Sequence, residues 1–309
     1  LGVLTFDQAT QAVDYRTLTL LFTMMIVTAN LKLSGFFTRV GNALLARVRT
    51  RRQLLLAVVL ASGLLSAFFI NDIVCLLFTP VVLLICRRAK LPPVPFLIAV
   101  ATASNIGSAG TLIGNPQNIL IGSLSGIPFA RYLAVAFPFA LAGLALNYAA
   151  VAWVYRRDLA GPIAAAEPIE GVRHTFLMRK SLAATLLILA GFLLGINPVL
   201  VAAVGGAWLL LTRRIKPNKV YAGIDFNLLV VFVGLFVVIG GVEHSGLMDR
   251  LVQAIGPAAF HDFGLFSLWT VALSNVFSNV PAVLLLRYFI PGAGAAASPD
   301  LWWTGLAVF

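Results

Sequence analysis

The chain has 309 residues, 60% of them hydrophobic and 11% charged, with a mean hydropathy of +0.97. Soluble domains average ~25% charged residues and outer-membrane barrels alternate over strands of ~10 residues, so both classes are excluded, as are disulfide scaffolds and disordered chains. The net charge of +11 comes from 22 Lys+Arg against 11 Asp+Glu; the basic residues gather between apolar blocks, as membrane topology requires, so no nucleic-acid partner is implied.

Apolar blocks run roughly 17–33, 53–86, 94–125, 132–155, 181–195, 198–212, 226–242 and 264–290, and another begins near Leu301. Runs of this length predict an all-α polytopic membrane protein. The N-terminus has no basic region followed by a small-residue cleavage site, so no removable signal peptide is expected. Basic clusters fall at Lys32 to Arg52, Arg87 to Lys90, Arg156-Arg157, Arg173 to Lys180 and Arg213 to Lys219. If 53–86 returns to the face it left and 94–125 crosses once, 18 Lys/Arg share one side against four on the other (Arg16, Arg131, Arg250 and Arg287). The positive-inside rule makes the basic side cytoplasmic, which predicts a multi-pass protein of the bacterial inner membrane.

After the first block, residues 36–52 read as a basic amphipathic stretch against anionic membrane lipid. Block 53–86 offers 34 residues between Arg52 and Arg87, whereas two full spans need about 40. Its middle reads Ile70-Asn71-Asp72, so a re-entrant hairpin with its tip at Asn71-Asp72 is predicted. Asp72 is the only acid deep in an apolar block. A buried carboxylate marks an ion or proton pathway, which makes Asp72 the candidate coupling group; capping a half-helix N-terminus is the structural alternative. Cys75 and Cys86 lie in the same block without redox or metal spacing and read as small core residues.

Block 94–125 carries a second interruption, Ser104 to Asn118, with three Gly, one Pro and three Asn in fifteen residues. That composition unwinds a helix, and the absence of charge between Lys90 and Arg131 argues against a soluble loop. A broken transmembrane helix exposes half-helix ends to ions and substrate. Candidate substrate groups are Ser104, Asn105, Thr111, Asn115, Gln117 and Asn118, which bind without charge. Gly107, Gly110 and Gly114 would permit positive φ and close approach of backbone to ligand. Asn71, Asp72 and Asn105 form a candidate Na⁺ site; no other metal is implied.

Residues 156–224 read as a cytoplasmic connector followed by two linking helices. His174, His244 and His261 fall in loops or helix ends without ligand spacing, and Glu243-His244 reads as a solvated end. Trp302-Trp303 fit an interfacial belt.

A shift of 211 positions sets the chain on itself: Asp14-Tyr15 on Asp225-Phe226, Ser34-Gly35-Phe36 on Ser245-Gly246-Leu247, and Arg39 on Arg250. After a three-residue deletion, Leu65-Ser66 falls on Leu273-Ser274 and Asn71 on Asn279. The second hairpin tip is then Ser278-Asn279-Val280-Pro281, with Ser274 and Asn275 beside it as further candidate substrate groups. An odd number of crossings separates the copies, so the second is inverted: 14–155 forms one repeat and 225–309 the other. Inverted repeats with paired broken elements imply alternating access around a midplane site. Ser104 follows Asn71 by 33 residues, so its counterpart is expected near position 312 and the sequence is expected to stop just before it.

Three motifs carry a resemblance: Ser66-Ala67-Phe68-Phe69-Ile70-Asn71-Asp72, Gly110 to Asn118, and Ser274 to Pro281. Together they resemble the ion transporter superfamily of arsenite permeases, sodium/proton antiporters, citrate transporters and divalent anion/sodium symporters, across nearly all of 14–309. The Asn-Asp tip is similar to the arsenite permease and antiporter branches, and Gly-Asn-Pro-Gln-Asn to a YbiR-like branch of anion transporters. The symporter branch carries Ser-Asn-Thr at each tip. Neither Thr is present here, which leaves Asn71, Ser278 and Asn279 as the matching coupling-ion positions. Some relatives are dimers, so the resemblance admits a homodimer.

The expected function is secondary active transport of a small inorganic or organic ion, coupled to H⁺ or Na⁺ and needing no cofactor. No phosphate-binding Gly-x-x-x-x-Gly-Lys-Ser/Thr loop is present, and Asp72 stands without the cluster an intramembrane enzyme needs. Arsenite or antimonite efflux, citrate-type anion transport and sodium/proton antiport stay open, with a channel more remote. No Lys or Arg lies at either break, which favours a small or neutral oxyacid, or a cation.

Overall fold

In the computed structural model the described residues are 3–163, 168–171, 174–211, 216–247 and 263–290, with 250, 253, 303, 305 and 307. Arg173, Arg213, His261, Leu301 and Trp302 lie outside them.

The described elements are helices, joined by turns and one isolated antiparallel bridge between Thr50 and Pro162. In chain order they are α1 (Phe6–Gln11), α2 (Tyr15–Ser34), α3 (Phe36–Leu45), α4 (Arg51–Phe68), α5 (Asn71–Arg88), α6 (Val94–Ser108) and α7 (Pro116–Ser125). There follow α8 (Phe129–Val154), α9 (Thr175–Leu193), α10 (Pro198–Leu210), α11 (Pro217–Tyr221), α12 (Phe226–His244), α13 (Phe263–Phe277) and α14 (Asn279–Leu286). Among the described residues, α2, α4, α8, α9 and α12 are long and apolar enough to cross a membrane.

Helix starts follow from local chemistry. Thr50 and Gln53 form a reciprocal capping box at α4, which satisfies two amides that would otherwise lack partners. The Asp14 carboxylate accepts from the Arg16 and Thr17 amides at α2 (3.0 and 3.3 Å), and Asp225 accepts from the Leu228 amide at α12 (3.0 Å). Asp14 and Asp225 are positions that the 211-residue shift sets on each other. So are Gly35 and Gly246, both left-handed at φ 81° and 68°, and, after the three-residue deletion, Asn71 and Asn279, which each begin a helix.

Several boundaries differ from expectation. Only Phe36–Leu45 of the basic 36–52 stretch is the α3 helix, because 46–49 turn into the α4 cap. Helix α9 begins at Thr175 rather than 181, since a long Lys or Arg stem extends a membrane helix while its charge reaches the interface. The second interruption is 109–115 rather than 104–118: Ser104, Asn105 and Gly107 complete α6, and Pro116 opens α7, where its missing amide hydrogen costs nothing.

The chain forms two compact units, each from separate segments. One comprises Thr23–Asn115 and Pro128–Ile224; within it α4 packs on α6, α5 and α8, and α9 on α10. The other comprises Leu1–Phe22, Pro116–Ile127 and Asp225–Phe309; within it α1 packs on α12, and α7 and α13 on α14. Helices approach closely at small residues, as membrane packing favours. A Cβ on Gly107 would stand 2.1 Å from the Gly63 carbonyl oxygen, so α4 and α6 touch backbone to backbone there.

Candidate functional site

The first unit holds the hairpin tip and the helix break together. Helix α4 stops at Phe68, Phe69 is extended (φ −130°, ψ 158°), and α5 starts at Asn71 after Ile70 (φ −59°, ψ 122°). Two polar links tie this tip to the second interruption. The Asn71 amide donates to the Gly114 carbonyl at 2.9 Å, and Asn71 Nδ2 donates to Asn105 Oδ1 at 2.8 Å. A third runs from the Thr111 hydroxyl to the Ala67 carbonyl, the last turn of α4. The first and third use backbone groups that helix interruption releases, which is how irregular backbone survives at membrane depth.

The interruption is also braced from within. Asn115 Nδ2 donates to Ser108 Oγ at 3.0 Å, Ser108 Oγ donates to the Asn105 carbonyl at 2.8 Å, and the Ile113 amide donates to Thr111 Oγ1 at 3.3 Å. The Tyr132 hydroxyl of α8 donates to the Ala109 carbonyl at 2.8 Å. Gly107, Gly110 and Gly114 do not adopt positive φ. Gly114 serves close approach instead: a Cβ there would stand 2.2 Å from the Ser108 carbonyl oxygen.

Two features bear on ion binding. Asn71 is 7% exposed and its Oδ1 is buried without a hydrogen-bond donor, as are the Ser62 and Ser66 hydroxyl oxygens of α4. A buried acceptor left in this state costs on the order of 1–3 kcal/mol, which a bound cation or proton donor would offset. Asp72, expected to be buried, is exposed in the chain: one residue past Asn71, it points about 100° away on the first turn of α5. Asn105 is exposed as well, while Ser104, Thr111 and Asn115 are buried.

The other predicted residues belong to the second unit. Asn118 is buried and Gln117 half-buried on the first turn of α7, which packs against α14. The break between α13 and α14 is a single residue, Ser278, at φ 77° and ψ 157°. Ser278, Asn279 and Asn275 are exposed. Ser274 Oγ and Asn275 Nδ2 both donate to the Val271 carbonyl, at 3.0 and 2.8 Å. Glu243, read as solvated, is instead engaged by Arg287, whose guanidinium also donates to the Tyr288 hydroxyl at 2.6 Å. Sequence reasoning missed Tyr132, Ser62 and the Gly63–Gly107 contact. Ser62, Gly63 and Ser66 share a face of α4 at helical spacing, the one signal that could have found them.

Apolar spans, a helical hairpin with a polar tip and a broken helix define a multi-pass helical membrane transporter rather than an enzyme. The chain belongs to the citrate transporter family, which matches residues 1–308. It is 28% identical over 361 residues to the silicon efflux transporter LSI3 of Oryza sativa subsp. japonica, covering 96% of this chain and 74% of that protein. It is 31% identical over 287 residues to the inner membrane protein YbiR of Escherichia coli K12, covering 91% and 73%. The fold is similar to the crystal structure of the Alcanivorax borkumensis YdaH transporter, with a TM-score of 0.57 at 16% identity over 98% of this chain and 74% of that one. The chain is therefore a membrane transporter of citrate-transporter type, at home in a cell membrane.

Proposed function

We propose that this protein is a secondary active transporter working by alternating access, which couples movement of a small anion or weak oxyacid to H⁺ or Na⁺. The observation that carries the reading is the tie between hairpin tip and broken helix, Asn71 to Asn105 and Gly114, with Asn71 Oδ1 left as a buried acceptor. Such an acceptor suits a cation or a proton donor.

The matched local roles of Asp14 and Asp225, Gly35 and Gly246, and Asn71 and Asn279 support a repeat of 14–155 by 225–309. The inverted arrangement gives each copy one access side. Asp72, exposed beside the tip, is the coupling carboxylate in this reading. Lys and Arg are absent from 66–72 and 104–118. Together with silicon efflux by the rice relative, this favours a weak oxyacid over a multiply charged carboxylate.

The test is proton flux into proteoliposomes of the full-length protein, with a pH-sensitive dye inside and Na⁺, arsenite, silicic acid, citrate, sulfate or phosphate added outside. The expected result is a saturable, substrate-dependent proton signal that Asp72→Asn abolishes. Equal substrate flux in wild type and Asp72→Asn would make Asp72 structural and remove the coupling role.

A further inference from the structure

A cavity of about 330 Å³ lies in the first unit, where α2 turns into α3 and where the connector meets α9. Its volume falls among those of small-molecule sites. Thr38, Arg39, His174 and Thr175 line it, with the Asn42 side chain in its wall. Among the described residues, no hydrogen bond or ion pair engages the Arg39 guanidinium, the His174 ring or the Thr38 and Thr175 hydroxyls. Among the described residues no acid lines the cavity; Glu170 falls between two lining residues, Ile169 and Gly171, and is not one itself.

The frame around these groups is fixed. Asn42 Nδ2 donates to the Ile169 carbonyl at 2.9 Å and the Ile169 amide returns a bond to Asn42 Oδ1 at 2.7 Å. The His174 amide donates to the Ser34 carbonyl at 3.2 Å. Arg88 of α5 holds the Pro168 carbonyl. Helices α3 and α9 both begin here, and neither has a side-chain cap from its N-cap residue, Gly35 or His174. A permanent cation, a ring donor and two hydroxyls, on a backbone frame braced by the Asn42–Ile169 pair, match a tetrahedral oxyanion.

We infer that this cavity binds a phosphate-class oxyanion, as the free ion or as the head group of an acidic lipid, at a site separate from the transport pathway. It lies beside the basic stretch Lys32 to Arg52 and near Arg179-Lys180, the side facing the cytoplasm by charge. A bound anion there would clamp the connector onto the α2–α3 corner.

The experiment is thermal unfolding of the purified full-length protein with inorganic phosphate titrated against chloride at matched ionic strength. It is repeated in nanodiscs of phosphatidylcholine with and without phosphatidylglycerol. Ligand that binds the folded state alone raises the midpoint in a saturable way. Phosphate stabilisation that weakens about tenfold or more in Arg39→Gln, and persists in Arg47→Gln outside the cavity and in Asn71→Ala at the transport site, assigns the free ion. The same pattern with phosphatidylglycerol alone assigns the head group. If Arg39→Gln does not fold, Thr38→Val and Thr175→Val report the same loss. No stabilisation by either anion, or equal stabilisation in the cavity variants, overturns the inference.

Discussion

Asn71 and Asn105, 34 residues apart, are joined side chain to side chain at 2.8 Å, and the bond consumes the amide of Asn71 while leaving its Oδ1 buried and open. One residue thus fastens the hairpin tip to the broken helix and presents an acceptor between them. A double-mutant cycle of Asn71→Ala and Asn105→Ala isolates the tie. The expected coupling energy is about 0.5–1.5 kcal/mol in thermal unfolding. Asn71→Ala alone should also weaken the affinity for the coupling ion about tenfold or more, whereas Asn105→Ala should weaken it less. Identical ion affinities in both single variants would remove Oδ1 from the site.

Close approach of backbone at Gly114 predicts a steric cost rather than a conformational one. Its φ is ordinary, but an added Cβ would stand 2.2 Å from the Ser108 carbonyl oxygen, which cannot swing aside. Gly114→Ala should lower stability by about 1–3 kcal/mol. Gly234→Ala, where a Cβ meets nothing within 4 Å, should be neutral or slightly stabilising through helix propensity. Unfolding midpoints in detergent check the contrast; equal midpoints would show that the break relaxes freely.

Thr111 holds the end of α4 through its hydroxyl on the Ala67 carbonyl. Thr111→Val keeps the shape and strands a buried acceptor, at about 1–3 kcal/mol. Thr111→Ser keeps the bond and should recover most of the loss. If Ser and Val behave alike, packing rather than the hydrogen bond dominates at this position.

Ser278 sits at φ 77° and ψ 157°, a region that glycine alone occupies without strain. Ser278→Gly should therefore raise stability by about 1 kcal/mol after the entropy that glycine forfeits, while Ser278→Ala should not. Transport by Ser278→Gly, measured in the same proteoliposomes, then reports whether the strained tip sets the rate. Equal midpoints for Gly and Ala would mean the tip carries no strain.

Class and punctuation were legible from residues alone. Unbroken apolar blocks can only be satisfied in lipid by helices, which settles the architecture, and the interruptions at Ile70, 109–115 and Ser278 are marked by polar, Gly or Pro residues in or beside them, Asn71-Asp72, Gly110 to Pro116 and Ser278 to Pro281. Capping is equally local, as Asp14 and Asp225 demonstrate within three residues of the amides that donate to them. Which groups meet across helices was not legible, because it depends on each helix's rotation and depth, set by packing. Asn71 on Asn105, Thr111 on Ala67, and Tyr132 on Ala109 are each separated by 23 to 44 residues. The same rotation places Asn71 inside and its neighbour Asp72 outside. Adjacent helical residues point about 100° apart, so their order in the sequence left open which of the two would be buried.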